Sequence, residues 1–297
     1  MMKICSLSIP VIVVVGVLAC GCASPPMAFD PVAQDPPIHD KDFPTSFERV
    51  TTTSGGEQLI LRMFVAQGAG PHATVLIARG FPDYLGSIDL ALVLQRAGFN
   101  VLSFNYRGFW GSDGTYTMTN ALRDVMAAIA AIRLEVTAKK MRVDPKRIIL
   151  LGYSLGGPLV LRAGGDSDIR AVAVIDGTDP RDEFAAIDTA AGYDRAVSFF
   201  ESSSAVRVAS AKVVVDELRA QWSEWDPINA APGLAGKDVL LLYAAKGNGD
   251  TRVKPALRDA LAGKARLTDV TLDTDHSFLD HRVALIRAVL RWLGSLK

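Results

Sequence analysis

An apolar run, Arg147–Leu151, passes directly into Gly152-Tyr153-Ser154-Leu155-Gly156 and then into a second apolar stretch, Leu155–Ala163. The five-residue pattern is short and weak by itself. Its setting is what constrains the chain: a buried strand before it, a helix after it, and small residues two places either side of the serine. Such a turn must be sharp, and the glycines let strand and helix pass closely. The Ser154 oxygen then stands clear of the sheet, near the positive end of the helix. The plain alternative is a strand–turn–helix in which Ser154 is structural.

The surrounding pattern repeats the same alternation. Phe47–Thr53 and Gln58–Ala66 read as a hairpin around Ser54-Gly55-Gly56. Thr74–Ala78, Val101–Phe104, Ala171–Ile175, Val239–Ala244 and Ala265–Leu272 read as further strands. Between them lie helical stretches at Ile88–Ala97, Ala121–Thr137, Lys254–Leu261 and Phe278–Leu293, with apolar residues three to four apart. Strands alternating with helices predict an α/β fold, a mostly parallel sheet of about eight strands covered on both faces. Residues 177–235 break the rhythm, with a helical stretch at Val206–Trp222. They are expected to form a helical lid insertion over the strand ends. Its Phe184, Tyr193, Phe199, Phe200, Trp222 and Trp225 either wall an apolar acyl pocket or merely hold the lid to the core.

A serine is a poor nucleophile until a base takes its proton and an acid orients the base. The chain has four histidines. His39 and His72 precede Ser154. His281 is expected one turn inside the last helix. His276 sits in the polar loop Asp273–Ser277 at the end of the last strand, where an imidazole can swing over the sheet. It is the expected base, unless it only caps the last helix. The expected acid is Asp250, in the glycine-rich loop Lys246–Asp250 after the penultimate strand. Asp176, at the end of the strand before that, is the second position weighed, and Asp275 lies too close to His276 to reach round to its outer nitrogen. Two N–H donors must hold the tetrahedral oxygen. They are expected from Leu155, just after the nucleophile, and from Phe81, in Arg79-Gly80-Phe81-Pro82.

Several segments together carry a family resemblance. Asn105-Tyr106-Arg107-Gly108-Phe109-Trp110-Gly111-Ser112-Asp113-Gly114, Asp144-Pro145-Lys146-Arg147-Ile148, Gly152–Gly157 and Asp275-His276-Ser277-Phe278 resemble single-domain α/β hydrolases of the serine-aminopeptidase and prolyl-oligopeptidase-like kind. The resemblance covers roughly residues 47–297. It implies an α/β-hydrolase fold and a serine hydrolase without metal or organic cofactor, acting on a small acyl substrate. Many relatives have His-Gly where this chain has Arg79-Gly80, so Arg79 is a departure; it is either a surface side chain or a pocket residue facing an acidic substrate group. The expected reaction is ester cleavage through an acyl-enzyme on Ser154. Peptidase, amidase and acyltransferase chemistry use the same residues, and a non-catalytic lipoprotein on this scaffold is the remaining class.

The N-terminus reads as an address. Met1-Met2-Lys3 precedes Leu7–Ala19, about 13 nearly all apolar residues, against roughly 20 for a membrane-spanning helix. The run ends in Val17-Leu18-Ala19-Cys20-Gly21-Cys22, which resembles a bacterial lipobox with Cys20, or else Cys22, as the lipidated residue. An ordinary secretory signal is the alternative. Residues 1–22 are thus expected to be a lipoprotein signal peptide, residues 23–46, with six prolines, a tether, and residues 47–297 the domain. This predicts attachment to the bacterial cell envelope, on the periplasmic or outer-surface side. Lys+Arg and Asp+Glu balance at 32 each, so no field favours nucleic acid.

Overall fold

The computed structural model describes residues 29–296 apart from 83–86, 181–183, 185, 204–205 and 248–252. Cys20, Cys22 and Asp250 lie outside the described residues. Eight strands form one sheet: β1 Ser46–Ser54, β2 Glu57–Val65, β3 His72–Ala78, β4 Asn100–Phe104, β5 Val143–Tyr153, β6 Ile169–Ile175, β7 Asp238–Lys246 and β8 Arg266–Asp275. Their order is β1-β2-β4-β3-β5-β6-β7-β8. The β1–β2 and β2–β4 pairs are antiparallel, and the others are parallel. The helices are α1 Ile88–Arg96, α2 Met118–Arg133, α3 Glu135–Lys140, α4 Gly156–Ala163, α5 Ala190–Glu201, α6 Ala211–Ala220, α7 Pro227–Ala230, α8 Val253–Leu261 and α9 Arg282–Ser295. The chain has the α/β-hydrolase fold expected of it.

The two-residue period of the strands builds two cores. Val75 and Ile77 of β3, with Leu240 and Leu242 of β7, face α1 and α9. Their neighbours Leu76 and Leu241 face α2, α4, α5, α6 and α8. Thr117 starts α2 by accepting the Asn120 N–H at 3.1 Å, and Gly98, at φ +91°, ends α1.

Three boundaries differ from the sequence reading. The helix expected over Ala121–Thr137 is broken at Leu134, whose ψ of 128° is extended. The stretch expected from Val206 becomes helical only at Ala211, because Val206 and Val208 form β-bridges to Phe109 and Tyr116. The last helix starts at Arg282 rather than Phe278. Phe278 has φ +53° in a turn capped by the Asp275 carboxylate, so His281 is the N-cap of α9 and not one turn inside it.

A buried ion pair fixes the loop after β4. The Asp124 carboxylate on α2 accepts from Arg107 Nε at 2.7 Å and from the Arg107 N–H at 2.8 Å. Both side chains are almost wholly excluded from water. Burial raises the Asp124 carboxyl above the usual carboxylate range, against the pull of Arg107. Removing one partner leaves the other charge stranded. Asp124→Ala is therefore expected to cost about 3–5 kcal/mol of stability, read as a fall in the midpoint of chemical denaturation.

Candidate active site

Ser154 occupies the junction of β5 and α4 with φ +55°, a left-handed backbone that non-glycine residues adopt only at a cost on the order of 1–2 kcal/mol. Its N–H donates to Ile175 O at 3.1 Å, and its carbonyl accepts from Gly157 at 2.8 Å and Thr178 at 3.2 Å. These bonds hold the turn from three sides. A Cβ on Gly152 would overlap Gly156, and one on Gly156 would overlap the Ala78 carbonyl. The glycines are thus required by backbone approach. Ser154 is 9% exposed, and its Oγ lies 3.3 Å from Thr178 Oγ1.

His276 follows β8. Its Nδ1 lies 2.5 Å from Asp176 Oδ2, and its ring stacks on Tyr153 with centroids 5.1 Å apart. The Tyr153 hydroxyl donates to the His276 carbonyl at 2.6 Å. The imidazole is therefore pinned by its inner nitrogen, its ring face and its backbone. Asp176 ends β6 with φ +40°, and its side chain is fully buried. Its Oδ1 accepts the Ala244 N–H at 3.1 Å. Gly247 passes so close that a Cβ there would overlap the carboxylate.

Among the described residues the carboxylate in contact with His276 is that of Asp176, the second position considered for the acid. Asp250 itself lies outside the described residues. β6 lies directly beside β5 in the sheet, so a side chain leaving its end stands next to the serine turn. The signal present in sequence was a carboxylate at a strand end followed by Gly177, together with Gly247 one strand over. His72 contacts Gly68 O at 3.1 Å at the start of β3, and His281 contacts the Asp280 carboxylate at 3.0 Å.

The loop after β3 meets the serine. A Cβ on Gly80 would lie 2.8 Å from Ser154 Cβ and 3.2 Å from its Oγ. Phe81 follows directly in this loop, and Leu155 follows Ser154 as the N-cap of α4. The Phe81 ring packs on Phe109, Tyr116, Phe199 and Phe200 with centroids 5.0–6.0 Å apart. Arg79 is neither a surface residue nor one directed at open solvent. It is buried, donates from Nη2 to Asn105 Oδ1 at 2.6 Å, and lies over the Trp110 ring. Asn105 and Tyr153 stand inside segments already singled out in the sequence, but their supporting contacts, and that of Thr178, are made across the fold and leave no local signal.

The insertion between β6 and β7 contains α5, α6 and α7. Arg207 ties it to the loop after β4: its N–H donates to Gly108 O at 2.9 Å, and its carbonyl accepts from Tyr116 at 2.9 Å. Its aromatic residues divide. Phe200 is fully buried, and Trp225 and Phe184 nearly so, while Phe199 and Tyr193 are only partly covered.

A profile described as the Alpha/beta hydrolase family matches residues 64–288, and the chain belongs to that family. Among curated proteins, YfhR of Escherichia coli K12 is 33% identical over 152 residues, covering 48% of this chain and 51% of YfhR. The match spans about half the length of that relative. Among solved structures, an esterase of Pyrococcus furiosus superposes with a TM-score of 0.62 at 14% identity, over 88% of this chain and 96% of that one. An enol-lactonase from Burkholderia xenovorans LB400 gives 0.57 at 18% identity, over 83% and 100%. At these identities the likeness shows the fold.

The Asp176–His276 contact leads to a direct comparison of the two carboxylates. Asp176→Asn should lower turnover of an activated ester by about 10³–10⁴-fold, while Asp250→Asn should stay within about threefold of the parent. Steady-state kinetics of the two variants side by side decide the matter, and the reverse ranking would return the role to Asp250.

Proposed function

We propose that this α/β hydrolase is a serine hydrolase that cleaves carboxylic esters through an acyl-enzyme on Ser154. The observation that carries the reading is the conjunction of a serine on a strained strand–helix turn with a histidine whose inner nitrogen is held by a buried carboxylate. His276 Nε2 takes the Ser154 proton as Oγ attacks the ester carbonyl. Asp176 keeps His276 in the tautomer that frees Nε2 and stabilises the cation that forms. The N–H groups of Leu155 and Phe81 receive the oxyanion. The tetrahedral intermediate collapses, His276 passes its proton to the departing alcohol, and the acyl group stays on Ser154. Water, deprotonated by His276, then releases the acid and restores the serine. Peptidase or amidase cleavage would use the same residues and the same acyl-enzyme.

The reading extends to location. We infer that Cys20, or else Cys22, carries a lipid that anchors the chain in the bacterial envelope, on the periplasmic or outer-surface side. Among the described residues no helix is long and apolar enough to cross a membrane.

A fluorophosphonate probe should label the protein, and peptide mapping should place the adduct on Ser154. Ser154→Ala should abolish both labelling and ester turnover, with stability changed by no more than about 1 kcal/mol. Labelling at another serine, or turnover surviving above a few per cent, would reject the nucleophile. The insertion gives a further expectation. Phe200→Ala removes a fully buried ring and should cost about 3–5 kcal/mol of stability, lowering all esters in proportion. Phe199, partly covered and 5.6 Å from the Phe81 ring, should instead change the preferred acyl length in a p-nitrophenyl ester series when truncated to alanine. A uniform loss for Phe199→Ala would show that it too only fastens the insertion.

A further inference from the structure

The outer surface of the α1/α9 layer carries an apolar stripe that the chemistry at Ser154 does not use. Ile88 and Leu92 lie one turn apart on α1, and Leu279 and Val283 lie just before and inside α9; they are 55%, 40%, 65% and 56% exposed. Phe47, 59% exposed, packs on Phe64, which belongs to the same layer. The two helices are clamped side by side by a two-bonded Arg282–Asp89 pair at 2.6 and 2.8 Å. Exposed aliphatic residues grouped in this way, rimmed by neutralised charges, mark an interaction surface.

The described chain begins on the same layer. Arg287, one turn beyond Val283, pairs with Asp30 at 2.6 Å, and Arg96, one turn beyond Leu92, donates to Pro31 O at 2.8 Å. Val32 packs into the core beneath these helices. From Cys20 or Cys22 to Asp30 the chain advances by about ten or eight residues, a reach of at most roughly 28–35 Å. A domain of this size is about 45 Å across. A lipid on either cysteine therefore cannot pass round to the far side of the domain, and the face that receives the tether is the one held nearest the bilayer.

We propose that the α1/α9 face, through Phe47, Ile88, Leu92, Leu279 and Val283, rests on the phospholipid surface in which the N-terminal lipid is embedded. The inference rests on the lipid-anchor reading above. Its consequence is positional. Leu279 lies three residues beyond His276, and Tyr153, Ser277, Leu90 and Leu285 line a crevice between α1 and α9. The histidine loop thus sits at the edge of the membrane face, and the esters best placed to reach it are amphiphiles held in the bilayer by their acyl tails.

The test uses the full chain produced in a bacterial host and reconstituted into phosphatidylethanolamine–phosphatidylglycerol vesicles. A benzophenone amino acid replaces Leu92 or Val283 in turn, and Val136 or Val213 as controls; the controls are 75% and 51% exposed, on α3 and α6. All four sites are on the surface, and retained ester turnover verifies folding. After irradiation, phospholipid adducts should form at positions 92 and 283 at least about fivefold more than at 136 and 213. Equal adducts at all four positions, or crosslinks from 92 and 283 to a second copy or another protein instead of lipid, would overturn the membrane face. A palmitate analogue fed to the same cells reads the anchor separately. An unlabelled chain removes the anchor and the tether argument with it, whereas a labelled chain with evenly spread adducts overturns the face alone.

Discussion

The close passage of α4 across the ends of β3, β5 and β6 is the contact on which the rest of the site depends. Side chains are excluded there by the backbone itself. A Cβ on Gly156 would overlap the Ala78 carbonyl, and one on Gly157 would lie 2.9 Å from the Gly177 Cα. With those positions bare, the helix can start at Gly156, two residues after Ser154, and its Gly157 N–H donates to the Ser154 carbonyl. The same proximity gives Ser154 its left-handed φ and ties its carbonyl to both Gly157 and Thr178. The strain is local, and the parallel sheet on either side holds it in place.

A second layer of support is polar and buried. Arg107 and Asp124 anchor the loop after β4 to α2, and Asn105 within that loop accepts from both Arg62 at 3.1 Å and Arg79 at 2.6 Å. Arg79 leads into Gly80 and Phe81, so the loop that presses on Ser154 is held by a side chain two strands from the nucleophile. Arg79 is thereby given a physical role: its long side chain joins two loops. The Phe81 ring completes the joint from the apolar side, meeting Phe109 and Tyr116 below and Phe199 and Phe200 from the insertion. Packing of the insertion and placement of the Phe81 backbone are in consequence one mechanical unit.

The strand–helix alternation, the two antiparallel strands at one edge and the turn at Ser154 were all legible in the sequence, because each is written locally. Two-residue alternation, three-to-four-residue spacing and glycines at fixed offsets act within a few residues of one another. Boundaries were less legible where a distant partner decides. Val206 and Val208 precede an apolar helical stretch, yet as β-branched residues they pair with Phe109 and Tyr116 across the chain. Phe278 continues the apolar pattern of α9, but the Asp275 carboxylate captures its N–H at 3.1 Å and delays the helix by a turn.

Sequence alone determined that a strained serine would stand at the end of a buried strand and that a histidine would stand in the loop after the last one. Both follow from neighbours along the chain. It could not choose between Asp176 and Asp250, since each is a carboxylate near a strand end with glycine beside it. Only the tertiary structure shows that, among the described residues, it is Asp176 that meets His276. β6 lies between β5 and β7, its Asp176 N–H is held by Leu242 O at 2.7 Å, and Gly247 leaves the opening through which Asp176 and His276 meet. The distance between two loops a hundred residues apart is set by sheet order and register, which no local pattern records.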